Sequence, residues 1–203
     1  MKSHVLSLLA LGASAVMAQD YNTSAPFTLK LESSDASVDG VYLYSCHAGA
    51  GIEELCLTTS GGGTASTYFL NESDYNNVEE YPTGPLVWNL LVNIDGVPTN
   101  VSSGMTFNYN PGSNVAIPAF GLGGGGQYVG FDGENHMFTS SYYDESTFEP
   151  GVYPNTTSNF PLYNWLACWN YFGGYYYHAL AWVTAGTPYN PTCTSVNVVR
   201  TFI

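Results

Sequence analysis

His47 lies directly after Cys46, with Glu53 and Glu54 six and seven positions further on. An imidazole beside a carboxylate is the pairing of a general base and its orienter. It does chemistry only with a nucleophile within hydrogen-bond reach. No local spacing supplies that nucleophile, so His47 reads as a histidine bonding loop backbone. His136, at the edge of an expected hairpin, and His178, inside an apolar run, read as structural in the same way. Carboxylates are more plentiful: Asp144, Glu145 and Glu149 cluster after Tyr142 and Tyr143. A glycoside hydrolase sets two such groups roughly 5–9.5 Å apart across the scissile bond. Closeness in sequence does not establish that geometry, so the cluster is a candidate and no more.

The established catalytic motifs are missing. No G-x-S-x-G, H-E-x-x-H or D-x-D-x-D-G pattern occurs, which excludes the serine-hydrolase elbow, the zinc-protease helix and the calcium loop. The Gly123-Gly124-Gly125-Gly126 run superficially resembles a phosphate cradle. A P-loop, however, continues with Lys and a helix, and here Gln127-Tyr128-Val129 opens a strand. Aromatic residues are concentrated from Phe160 to Val183. Packing accounts for most of them, whereas tyrosines at the Gly173-Gly174 turn suit an exposed platform for sugar rings. Tyr171, Tyr175 and Tyr176 are the candidate carbohydrate-binding residues.

The chain opens as an export signal does. Lys2 is followed by an apolar stretch from Val5 to Val16, and Val16-Met17-Ala18 carries small aliphatic residues where signal peptidase requires them. Cleavage is expected after Ala18, which leaves residues 19–203 as a single domain. Gln19, not His, would then be the first residue, which argues against an amino-terminal copper site. No cofactor and no metal site is expected. After cleavage only Lys30 and Arg200 oppose sixteen Asp and Glu, a net charge of −14. Such a surface repels nucleic-acid phosphates and anionic lipid headgroups. Neither nucleic acid nor membrane is an expected partner.

Four cysteines follow the leader: Cys46, Cys56, Cys168 and Cys193. An even count behind an export signal reads as two disulfides, since no pair shows zinc-ligand spacing. Three pairings are open. Cys46–Cys56 and Cys168–Cys193 are favoured because both close modest local loops, worth roughly 3 and 3.5 kcal/mol on the chain-entropy model. Asn22, Asn71, Asn100 and Asn155 begin N-x-Ser/Thr sequons, whereas Asn190 precedes Pro191. Each glycosylation site is expected in a loop or near a strand end.

Strands must position these groups. Phe27 to Leu31 and Met105 to Tyr109 alternate apolar and polar, and further strand-like runs recur about every ten residues between Gly, Pro, Asn and Asp clusters. Phe131-Asp132-Gly133-Glu134-Asn135-His136 reads as a hairpin. Tyr175 to Val183, large on both faces, reads as a central covered strand. Ile52, Leu55 and Cys56 are spaced i, i+3, i+4, which predicts one helical turn with Glu53 and Glu54 on its wet side. The fold class is all-β, a single antiparallel sandwich or closed barrel, with a β-trefoil as the alternative.

The run Cys46-His47-Ala48-Gly49-Ala50-Gly51-Ile52-Glu53-Glu54-Leu55-Cys56, with Trp165-Leu166-Ala167-Cys168, Asn190-Pro191-Thr192-Cys193 and the terminal Val198 to Ile203, resembles a family of small ascomycete secreted proteins of unknown function. The layout is remotely similar to fungal cell-wall proteins linked to spore-bearing cell development. No catalytic residue comes with either resemblance, and the implied setting is the extracellular space or the cell wall. A non-enzymatic extracellular or wall-associated glycoprotein is the expected function. A carbohydrate-binding module, with cell-wall polysaccharide as partner, is the alternative. A glycan-active hydrolase or a host-directed effector ranks below both.

Overall fold

The computed structural model describes residues 22–203 apart from 60–62, 124–125 and 157; the expected leader and part of the Gly123-Gly124-Gly125-Gly126 run lie outside these residues. The strands are β1 (Asn22–Thr23), β2 (Phe27–Glu32), β3 (Leu43–Gly49), β4 (Ile52–Leu57) and β5 (Phe69–Val78). Then come β6 (Tyr81–Ile94), β7 (Val97–Asn108), β8 (Val115–Gly121), β9 (Tyr128–Phe131) and β10 (Met137–Ser141). The last five are β11 (Phe160–Leu162), β12 (Trp165–Phe172), β13 (Tyr175–Val183), β14 (Thr194–Ser195) and β15 (Asn197–Phe202). Among the described residues the only helix is a single 3₁₀ turn, Glu145–Thr147. None is long and apolar enough to cross a membrane.

One antiparallel sheet runs β11-β10-β9-β6-β7-β8-β4-β13-β12-β14, with β3 on β4, β5 on β6 and β1 on β5. It curls into a half-barrel. The expected all-β antiparallel class is present; a closed barrel, a sandwich or a trefoil is not shown. A separate ribbon, β2 with β15, spans the open side and sends Phe27, Leu29, Leu31 and Val198 into the core. Its own six-pair ladder is continuous, and the isolated bridges Lys30↔Tyr42, Phe27↔Tyr68 and His136↔Val199 join it to the rest of the fold. Isolated bridges stand in place of a ladder along that seam.

Alternation accounts for the core. In β2 the buried positions are Phe27, Leu29 and Leu31, with Thr28 and Lys30 between them less covered. The expected Phe131–His136 hairpin forms, with Phe131 paired to Met137. The predicted helical turn at Ile52 does not. Ala50 and Gly51 (φ +69°) turn the chain instead, so β3 and β4 form a hairpin with His47 opposite Glu53 and Cys46 opposite Glu54. On a pleated strand consecutive residues face opposite ways. Glu53 and Glu54 therefore cannot share one solvated face, and both are buried.

Cys46 bonds Cys56 and Cys168 bonds Cys193, and no cysteine is free. Cys46–Cys56 ties β3 diagonally to β4. Cys168–Cys193 ties β12 to the segment that enters β14.

Candidate functional site

The aromatic segment folds as the β12–β13 hairpin. Gly173 and Gly174 make its turn, both at positive φ (+61° and +93°), as a two-residue hairpin loop demands. Register then decides which rings share a face. Trp169 opposes His178 and Tyr171 opposes Tyr176, while Asn170 opposes Tyr177 and Phe172 opposes Tyr175. The face that carries Trp165 and Trp182 into the core thus runs past the core's edge as Trp169, Tyr171, Tyr176 and His178.

On that extension Trp169 is 40%, Tyr176 59% and Tyr171 73% exposed. Trp169 stacks on Tyr176 (centroids 5.3 Å apart, planes 29° apart) and on His178 (5.2 Å, 8°). Burial lowers the His178 pKa from its usual value, with Asp35 opposing the shift. A neutral imidazole is the form this favours, so the ring row is predominantly uncharged. Tyr175 is turned to the opposite face. It stacks on Tyr177 at 5.6 Å and meets the His47 ring edge-on at 5.5 Å. Of the three tyrosines singled out by sequence, two share the exposed row and Tyr175 does not. The covered-strand expectation likewise holds for Ala179 to Val183 and fails for Tyr175 to His178.

The row is held from the edge of β12. The Trp169 backbone N–H donates to Thr192 Oγ1 (3.0 Å), and its carbonyl accepts from Asn190 Nδ2 (3.0 Å). Asn190 Oδ1 in turn accepts from the Thr192 N–H (3.0 Å) and hydroxyl (2.7 Å). Cys193, next in the chain, is bonded to Cys168 beside Trp169. A clamped backbone orders the ring in advance, which lowers the entropy cost of using it as a binding surface.

The acidic cluster is divided between two hollows. Asp144 caps the 3₁₀ turn; its Oδ1 accepts from the Ser146 N–H (3.0 Å), and these bonds hold its pKa below the usual carboxylate value. That suits an N-cap and is the wrong direction for a general acid. Asp144 and Glu145 border a cavity of about 490 Å³ with Tyr143 and Phe160. Glu149 borders a different hollow with Val152 and Tyr153.

The remaining histidines bind neighbouring side chains. His47 Nδ1 lies 3.7 Å from Glu53 Oε1; burial raises the Glu53 pKa and His47 opposes the shift. His136 is ringed by Glu32 (3.5 Å), Asp132 (3.7 Å) and Glu134 (3.5 Å), and Asp132 also accepts from Tyr163 Oη (3.0 Å). This group fastens the β9–β10 turn to the seam ribbon. No cluster among the described residues is arranged to hold a metal ion.

Two sequons lie side by side: Asn22 on β1 is exposed, and Asn71 on β5, paired with Thr23, accepts from its hydroxyl at 3.0 Å. Asn100 is exposed on β7 and Asn155 in the loop before β11. Asn71 lies near the start of β5 and Asn100 near the start of β7.

Fold and site together define a disulfide-braced all-β domain with an exposed aromatic row and no assembled catalytic centre among the described residues. The chain belongs to the family described as a domain of unknown function, DUF7907, whose model matches residues 24–202. No curated protein and no solved structure matches it.

A side chain at Gly173 tests how the hairpin is seated. A Cβ there would stand 2.0 Å from the Ala48 carbonyl oxygen, at a φ of +61° that L residues avoid. Gly173→Ala is expected to cost about 2 kcal/mol or more through strain and clash. The check is the urea midpoint, and a variant within about 0.5 kcal/mol of wild type contradicts the close seating.

Proposed function

We propose that this protein is a secreted, N-glycosylated, non-catalytic polysaccharide-binding protein of the extracellular space or cell wall. The observation that carries the reading is the ordered, exposed row of Trp169, Tyr176 and Tyr171. Sugar rings present C–H faces that lie against aromatic rings, burying apolar area without demanding charge. Support for export comes from the leader-like N-terminus, the two disulfides and the sequons. The sparse positive charge leaves neutral glycans as a better-suited partner class than phosphate polymers or anionic lipids.

The hydrolase reading loses ground because the capped Asp144 is unsuited to the general-acid role and Glu149 lies outside its cavity. The test is a glycan array of chitin, β-glucan and mannan fragments probed with protein purified without its leader. Binding to at least one polymer class is expected. No binding to any of them contradicts the proposal.

A further inference from the structure

Glu54 is completely buried, and neither of its carboxylate oxygens has a hydrogen-bond partner. It projects from the face of β4 that also carries Cys56, opposite Cys46 on β3 and Ala119 on β8. The underside of the β12–β13 hairpin packs over that face. Ala179 and Tyr177 pack with Tyr44 on the Cys46–Cys56 bridge, Tyr175 meets His47, and Gly173 approaches Ala48.

The titratable groups facing Glu54 offer it no counter-charge. From β3 come Tyr44 and His47, from β13 Tyr175 and Tyr177, and from its own strand Glu53; Ile117 to Gly121 of β8 supplies none. Burial raises the pKa of both Tyr44 and Tyr177, which keeps these phenols neutral. His47, the one group among them able to become cationic, lies beside Glu53. A protonated Glu54 is tolerable in this place. An ionised one is a buried charge with neither donor nor cation, which is among the costliest arrangements a protein can hold.

We propose that Glu54 is a pH latch: protonated, it lets the distal β12–β13 hairpin lie on β3–β4, and ionised, it drives the hairpin off. The moving part is bounded. Trp165, Leu180 and Trp182 root the hairpin in the core, while the two disulfides hold β3 to β4 and the base of β12 to Cys193. The Thr192 and Asn190 bonds hold the Trp169 backbone as well, so the segment free to lift runs from Asn170 to His178 and carries Tyr171 and Tyr176 of the aromatic row on its other face. The latch stands whether or not that row binds sugar.

Burial pushes the Glu54 carboxyl up to about 7, from an ordinary 4.5 that water entry would restore. The open form then releases the proton more readily at every pH between those values. Linkage makes the opening constant rise with pH, roughly 70-fold from pH 5 to pH 8. The test is amide hydrogen exchange over Asn170–His178 and Cys46–Leu55 at both pH values, corrected for intrinsic exchange, in the wild type and in Glu54→Gln. A rise of that order in the wild type and a flat response in Glu54→Gln are expected. A flat wild type, or an equal rise in both proteins, overturns the latch. Should Glu54→Gln fail to fold, the wild type decides: a rise confined to these two segments supports the latch, and a rise spread equally to β6–β7 overturns it.

Discussion

Reduction of both disulfides is expected to lower stability by about 6 kcal/mol and to unfold much of the protein at 37 °C. Cys46–Cys56 closes a separation of 10 residues and Cys168–Cys193 one of 25. The chain-entropy model assigns loops of these sizes roughly 3 and 3.5 kcal/mol, through the freedom denied to the unfolded chain. The sum is comparable to the whole stability of an ordinary domain, about 5–15 kcal/mol. Equilibrium urea unfolding with and without a strong reductant measures it. A loss below about 2 kcal/mol would mean that the sheet holds without its cross-links. The second bridge has a local consequence as well: Cys193 adjoins the Asn190–Thr192 clamp on the Trp169 backbone. Cys168→Ser with Cys193→Ser is therefore expected to raise amide exchange at Trp169 more than at Trp88.

Trp165→Ala is expected to cost about 5 kcal/mol. The side chain is 1% exposed and sits between Trp182 (centroids 4.8 Å) and Phe107 (5.9 Å), and its Nε1–H donates to the Met137 carbonyl at 2.7 Å. Truncating a buried tryptophan removes about 3–5 kcal/mol of packing and transfer energy, and the orphaned carbonyl adds about 1–3. Because that hydrogen bond joins β12 to β10, the loss acts across the half-barrel. Trp165→Phe keeps a ring but loses the donor and should cost about 2 kcal/mol. Urea midpoints for the two variants separate packing from hydrogen bonding; equal losses would contradict the separation.

Much of the fold is legible residue by residue. The alternation of Phe27-Thr28-Leu29-Lys30-Leu31 reflects burial on one face alone, and the strand appears there. What misleads is the short segment Ile52 to Cys56. Its apolar spacing satisfies a helical period over too few residues to exclude a strand. The turn at Gly51 decides the matter, leaving Ile52 exposed and Glu54 buried. Asp95-Gly96 (φ +52° and +84°) is a hairpin signal that ends β6 at Ile94 and restarts the chain at Val97.

The half-barrel itself has no local signature. It depends on β4 pairing with β8, and the separate ribbon depends on β2 pairing with β15 at the opposite end of the chain. The aromatic row was half visible. Placing the turn at Gly173-Gly174 fixes the register, and the register puts Trp169, Tyr171 and Tyr176 on one face and Tyr175 on the other. Exposure was not visible, because it depends on where the core ends.

That division of faces supplies the decisive measurement: retention on immobilised polysaccharide of the wild type, Trp169→Ala and Tyr175→Ala, using a polymer the wild type binds. Losing one stacked ring at about 1.4 kcal/mol weakens binding about tenfold. Trp169→Ala should show that loss at pH 5, where the hairpin is seated, while Tyr175→Ala retains near-wild-type binding. Equal retention by the wild type and Trp169→Ala, or a larger loss in Tyr175→Ala, would contradict the assignment of sugar binding to this face.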